Sequence, residues 1–91
     1  MVNYPFIEED ISEKESIRTF SDNLDQEDLL WHWDEEDRII EPLEETNWLF
    51  QFDNHLPENI DKKIYIKKGE WHRLIKGDGD LKLKIQKINK A

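Results

Sequence analysis

His32 and Asp34 stand two residues apart in the segment Trp31-His32-Trp33-Asp34, and His72 follows forty positions later in Gly69-Glu70-Trp71-His72-Arg73. On a β-strand, residues two apart leave the same face. His32 and Asp34 would therefore be presented together, with His72 arriving from a later strand. Two histidines and one carboxylate in this arrangement form a facial triad for a divalent transition metal, typically iron(II). Three protein ligands leave positions for water or substrate, which a catalytic metal requires. Each residue also has a plainer use. Asp34 suits a hydrogen bond to His32 or the opening of the acidic turn that follows, and His72 suits a packed position on its strand.

The elements that must position these residues are short strands. Residues 16–20 alternate Ile17 and Thr19 against Arg18 and Phe20, and residues 21–28 carry the Ser, Asp and Asn of a loop or single helical turn. From residue 29 the alternation sets Leu30, His32 and Asp34 on one face and Leu29, Trp31 and Trp33 on the other. Residues 37–41 form the return strand, which Pro42 ends or confines to an edge. Residues 48–53 place Trp48, Phe50 and Phe52 opposite Leu49, Gln51 and Asp53. Residues 54–63 read as a loop, 63–67 and 71–75 as strands, and 76–80 as a turn rich in residues that tolerate positive φ. Residues 81–88 alternate most clearly, with Leu81, Leu83 and Ile85 inward and Lys82, Lys84 and Gln86 outward. About seven short strands with turns every eight to twelve residues predict an all-β sandwich or barrel. Residues 1–15, anchored by Val2, Tyr4, Phe6 and Ile7, are an arm or an edge strand, and 16–91 the barrel domain.

A chain of 91 residues supports one domain with a modest core. It is 36% apolar and 38% charged, and its four Trp, four Phe and two Tyr supply the large buried areas that such a polar chain needs. No cysteine is present, so disulfides and thiolate metal sites are excluded. No apolar run is long enough to cross a bilayer, and the first ten residues lack a signal peptide's basic start and apolar middle. The expectation is a soluble cytoplasmic protein without membrane association. The net charge of −9 divides unevenly: residues 1–61 hold 19 acidic and 3 basic residues, and 62–91 hold 3 acidic and 10 basic. The split is read as opposed faces of one domain, with a partner surface or head-to-tail self-association as the functional alternative. No phosphate-binding glycine loop, Ser-His-Asp set or basic-aromatic RNA-binding pattern is present, so no nucleic-acid partner is expected.

From residue 16 to 88 the chain resembles the cupins, small antiparallel double-stranded β-helix (jelly-roll) barrels. The family's first motif reads Gly, five residues, His-x-His, three or four residues, Glu, six residues, Gly. His32 takes the first His, Asp34 stands where the second would be, Asp37 or Arg38 falls near the Glu, and both glycines are missing. The second motif reads Gly, five residues, Pro-x-Gly, two residues, His, three residues, Asn. Gly69 and His72 match it, with Asp61, Lys67 and Lys76 in place of its first Gly, Pro and Asn. The strand order in IYIKKGEWHRLIKGDGDLKLKI is similar to the second half of a small cupin, and WHWDEEDR followed by NWLFQFDNHLP resembles small cupin-like proteins of bacteria and phages.

The resemblance implies a barrel whose mouth holds one divalent metal on the motif histidines and a carboxylate. Iron(II), manganese, nickel and zinc all suit that donor set. Asp37 is a reserve ligand if it points inward. Arg38 would clamp an anion at the mouth or pair with the acids around it. Gln51 would orient a substrate or face solvent, and Arg73 is expected in a surface ion pair. The four tryptophans are expected to pack in the core and sheet faces, and His55 to be exposed. The leading expectation is a metal-binding barrel acting on a small anionic molecule, with too few residues for a full 2-oxoglutarate oxygenase. A non-enzymatic ligand- or protein-binding module is the alternative, and a homodimer through a sheet face or edge strand is the structural one.

Overall fold

The computed structural model describes residues 4–88; Val2, named above as an anchor, lies outside them. The alternating segments become strands β1 (Ile7–Asp10), β2 (Glu15–Phe20), β3 (Asp37–Pro42), β4 (Leu49–Phe52), β5 (Glu58–Asn59), β6 (Ile64–Ile66), β7 (His72–Ile75) and β8 (Leu81–Ile88). They pair antiparallel throughout, in a five-stranded sheet of order β1-β2-β8-β3-β6 and a three-stranded sheet of order β5-β4-β7. This is an all-β architecture, as the strand pattern predicts, in the small antiparallel jelly-roll form that the resemblance implies. β1 is an edge strand, so residues 7–10 take the second of the two forms open to the N-terminal segment. No helix of the described residues is long and apolar enough to cross a membrane.

β8 shows why the sheets close on each other. Its Leu81, Leu83 and Ile85 are buried, while the intervening Lys82 is exposed and Lys84 half-buried. Opposite them the three-stranded sheet turns in Phe50 and Leu74, preceded by Trp48. Trp48 has no exposed surface, and its indole Nε1 donates to the Gly79 carbonyl at 2.8 Å. A buried indole N–H needs such a partner. The bond ties β4 to the turn before β8. Gly77 packs against the same joint so closely that an added Cβ would stand 2.3 Å from Asn47 Oδ1 and 2.6 Å from the Trp48 nitrogen.

Three expectations are corrected here. Residues 29–34 are not a strand: a single 3-10 turn (Gln26–Asp28) leads into them, and pairing is confined to His32. The side chain of Gln26 fixes that turn by donating to the Leu74 carbonyl and accepting from the Lys76 amide. It leaves Leu29 buried and Leu30 exposed, the reverse of the expected grouping of Leu30 with the inward residues. Of the four tryptophans, only Trp48 is core; Trp31, Trp33 and Trp71 are 38%, 48% and 48% exposed. His72 is buried and His32 lines the cavity, while the three tryptophan rings reach the surface.

The third correction concerns charge. The basic β8 lies between β2, which carries Glu15, and β3, which carries Asp37 and Glu41, not on a face of its own. Lys84 reaches Glu15 on one side at 3.0 Å and Glu41 on the other at 4.0 Å, and Lys82 and Lys87 pair with Glu44 and Glu36. Sheet order interleaves charges that the sequence keeps apart. β5, two exposed residues within the expected loop 54–63, is an additional strand without an apolar pattern.

Candidate metal centre

His32 and His72 meet as a hydrogen-bonded antiparallel pair: the His32 amide donates to the His72 carbonyl at 3.0 Å, and the His72 amide donates back at 2.9 Å. Directly paired residues leave a sheet on the same side, which brings the two imidazole centroids to 4.3 Å. Asp34 follows two residues after His32. Its carbonyl accepts from the amide of Gly69 at 2.9 Å, and Gly69 has a φ of +79° that favours glycine. The turn ahead of His72 is thus tied to the segment that carries Asp34. One ligand atom each from His32, Asp34 and His72 lies within 4.8 Å of the others.

The protonation pattern follows from the backbone. Nδ1 of His32 lies 3.0 Å from the Leu30 carbonyl, and Nδ1 of His72 lies 2.8 Å from the Glu70 carbonyl. A carbonyl can only accept, so each Nδ1 carries a proton, and a neutral ring then presents its Nε2 lone pair. Burial, the largest effect on His72, pushes its pKa below the usual histidine value; its contact with the Glu70 carbonyl and the Asp34 charge act in the other direction. The ring is therefore neutral near pH 7, and its Nε2 lone pair lies 3.4 Å from Asp34 Oδ2. That oxygen is buried and has no hydrogen-bond partner.

Two electron-pair donors facing each other without a proton between them are destabilising in a buried site. A cation removes the conflict. The 3.4 Å separation is also the edge expected between two ligands about 2.1 Å from a four-coordinate metal. The residues therefore fit a divalent metal: two imidazole nitrogens oriented by backbone carbonyls, in the way outer partners hold metal-bound histidines, and one carboxylate. His32 is exposed while Asp34 and His72 are buried, so the group is reached from the His32 side.

Arg38 borders this group. Its Nη1 lies 3.2 Å from Asp34 Oδ1 and its Nη2 3.4 Å from Glu36 Oε2, and its side chain is only 13% exposed. Burial alone would raise the Glu36 carboxyl, but Arg38 and, more weakly, Lys87 hold it below the usual range. Arg38 thus takes both roles open to it, pairing with acids while lining a cavity of about 370 Å³ between the sheets. Phe50 stacks against His72 with centroids 5.4 Å apart and planes at 20°, which shields the buried side of that ring.

The other candidates lie elsewhere. The Asp37 carboxylate accepts from the Tyr65 hydroxyl at 2.7 Å and the Lys68 amide at 2.8 Å, and it is not part of the three-residue group. Gln51 is on the opposite face of β4 from Phe50. It donates to the His55 carbonyl and accepts from Arg73 Nε at 3.0 Å, a structural use that takes it away from the cavity. The Arg73 guanidinium lies over Trp31, 4.6 Å from the ring centroid, so a cation–π contact replaces the expected surface ion pair. His55 is exposed.

Sequence reasoning passed over Arg18. It lines the cavity, bonds to the Glu8 carboxylate and lies 4.2 Å from the Phe6 ring centroid. The signal was its parity: Arg18 shares a face of β2 with Phe20, whose ring is in the core.

By sequence, no family model and no curated protein matches the chain. By structure it is similar to the iron(II) form of HppE, with a TM-score of 0.60 at 15% identity over 81% of this chain and 41% of that one. It is also similar to hydroxypropylphosphonic acid epoxidase from S. wedmorenis, with a TM-score of 0.62 at 13% identity over 81% of this chain and 42% of the epoxidase. The chain thus spans about two fifths of these two proteins. A cupin domain from Bordetella pertussis aligns along almost its whole length, with a TM-score of 0.57 at 13% identity over 98% of this chain and 99% of that one. Strand order, sheet pairing and these likenesses agree: the chain has the cupin fold.

Proposed function

We propose that this protein is a metal-binding cupin barrel that holds one divalent transition metal on His32, Asp34 and His72 and acts on a small anionic molecule in the adjoining cavity. The observation that carries the reading is the 3.4 Å approach of His72 Nε2 to a buried Asp34 Oδ2 that has no hydrogen-bond partner, with each imidazole Nδ1 at hydrogen-bond distance from a backbone carbonyl. The iron(II) in HppE and the phosphonic acid named for the epoxidase support iron(II) and an anionic ligand. Manganese, nickel and zinc also suit the donors.

A bound metal of this kind supplies Lewis acidity and, as iron(II), redox chemistry. The chain's own residues do the rest. The carbonyls of Leu30 and Glu70 fix both rings, Arg38 pairs with Asp34 and orients it, and Phe50 keeps water from the inner side of His72. Arg38 also brings positive charge to the cavity, where an anion would enter.

Elemental mass spectrometry tests this on wild type and His72→Ala, purified without chelator or histidine tag. Near-stoichiometric metal in the wild type, lost in the variant, supports the centre. Absence of metal, with none taken up on titration, overturns it. The outward tryptophans 31, 33 and 71 favour a second reading, a binding module that meets a partner through this aromatic surface. That reading gains if His72→Ala leaves metal content unchanged.

A further inference from the structure

The cavity beside the candidate metal centre has one polar end and an apolar interior. His32, Asp34, His72 and Arg38 form the polar end, while Phe20, Phe50, Leu74, Leu83 and Ile85 are among the walls. Strand register sets the direction between them. Arg38 pairs with Lys87 across β3 and β8, Ile40 with Ile85, and Pro42 with Leu83. Moving from Arg38 along the inner face of β8, a ligand meets Ile85 and then Leu83, about 7 Å further on. These walls offer no side-chain hydrogen-bond partner, so a hydroxyl carried inward would lose its water without compensation.

The other charged lining residues are already engaged. Arg18 is bonded to Glu8 and covered by Phe6. Asp28 is exposed and accepts from the Asp25 amide. At the polar end Arg38 and Lys87 offset Asp34 and Glu36. A divalent cation there makes that end positive, so it takes a negatively charged headgroup, while the apolar interior takes no second charge.

From these two observations we propose that the ligand is a small monoanion with an unhydroxylated apolar body, of the monocarboxylate class. Its headgroup lies at the metal and Arg38 end and its body along Ile85 and Leu83. This rests on the metal reading above. It goes beyond it by excluding sugars, polyols and ligands with a second charge on the body, and by predicting a dependence on chain length.

The test first loads the protein with zinc and measures uptake. The zinc protein is then titrated calorimetrically with butyrate, hexanoate and octanoate, with adipate and 1-hexanol as the dianionic and neutral counterparts. Affinity should rise about fourfold per added methylene until the cavity is filled. Hexanoate should bind at least tenfold tighter than adipate or hexanol, and should weaken at least tenfold when zinc is removed. A flat series, adipate equal to hexanoate, or hexanoate binding indifferent to zinc overturns the proposal while leaving the metal centre standing. Failure to take up zinc overturns both.

Discussion

His32 and His72 exchange both of their backbone hydrogen bonds, and each directs its Nδ1 at the carbonyl two residues before it, Leu30 in one case and Glu70 in the other. One backbone pairing therefore sets ring position, ring orientation and tautomer together. Asp34 joins the pair without a regular strand to carry it, held by the Gly69 amide and by Arg38. The fold contributes its side-chain preorganisation at the cost of a buried carboxylate oxygen left without a donor.

Metal should therefore stabilise the protein as well as equip it. Zinc at about one hundred times its dissociation constant should add about 2.7 kcal/mol, raising the melting temperature by about 10–20 °C for a domain of this size. Chelator should reverse the shift. Asp34→Asn separates the two effects. An amide Nδ2 can donate to His72 Nε2 while its oxygen still accepts from Arg38, so the metal-free variant should melt at or above the wild-type temperature. Its metal affinity should fall at least tenfold. A large loss of stability in the metal-free variant would contradict the account of Asp34 Oδ2.

Where alternation coincides with continuous pairing, the sequence was readable. β8, Phe50 and Phe52 follow the expected faces because each is held by a neighbouring strand, and Trp48, just ahead of β4, is fixed by its bond to the Gly79 carbonyl. The nearness of His32, Asp34 and His72 was readable in part, since His-x-Asp and the Gly69–His72 spacing are local features, although no strand carries His32 and Asp34 together. Residues 29–34 were not, because only His32 pairs there and hydrophobicity does not specify the face of an unpaired residue. That is why Leu29, Trp31 and Trp33, grouped by parity, separate into one buried and two exposed side chains. The contacts of Lys84 with Glu15 and Glu41 depend on β8 entering between β2 and β3, a long-range arrangement that no periodicity encodes.

Gln51 offers a control for the site. It bonds to Arg73, which lies on Trp31, all away from the cavity. Gln51→Ala should cost about 1 kcal/mol in urea denaturation while leaving metal affinity unchanged. A double-mutant cycle on Trp31→Ala and Arg73→Ala should return a coupling of about 0.5–1 kcal/mol, as expected for a cation–π pair at a partly exposed site. A change in metal affinity for Gln51→Ala would return this residue to the site.

The joint between Trp48, Gly77 and Gly79 should dominate stability. Trp48→Phe removes the donor to the Gly79 carbonyl and leaves space in a fully buried position, so it should cost about 2–4 kcal/mol. Against the 5–15 kcal/mol typical of small domains, that would lower the urea midpoint substantially. Gly77→Ala should also destabilise, because its Cβ would meet the backbone nitrogen of Trp48 and not a movable side-chain end alone. A neutral result for both would show that this turn is not anchored through the indole.

Glu8 predicts the acid limb of the stability curve. Burial would raise its carboxyl, but the hydrogen bond and charge of Arg18, with smaller help from Ser16 and Lys87, hold it below the usual carboxylate value. A lowered folded-state pKa means that the unfolded chain binds this proton first. The contribution is thus present above about pH 4.5 and is lost as the pH falls through the folded value. Because the Glu8 side chain is 35% exposed, solvent screening limits the gain to below about 1 kcal/mol. Urea midpoints measured from pH 6 to pH 3 should fall for both wild type and Glu8→Gln, since Glu36 and other carboxyls titrate in the same range. The variant should start lower and fall less steeply, the two curves converging at the acid end. Parallel curves would show that the Glu8–Arg18 pair adds nothing to the folded state.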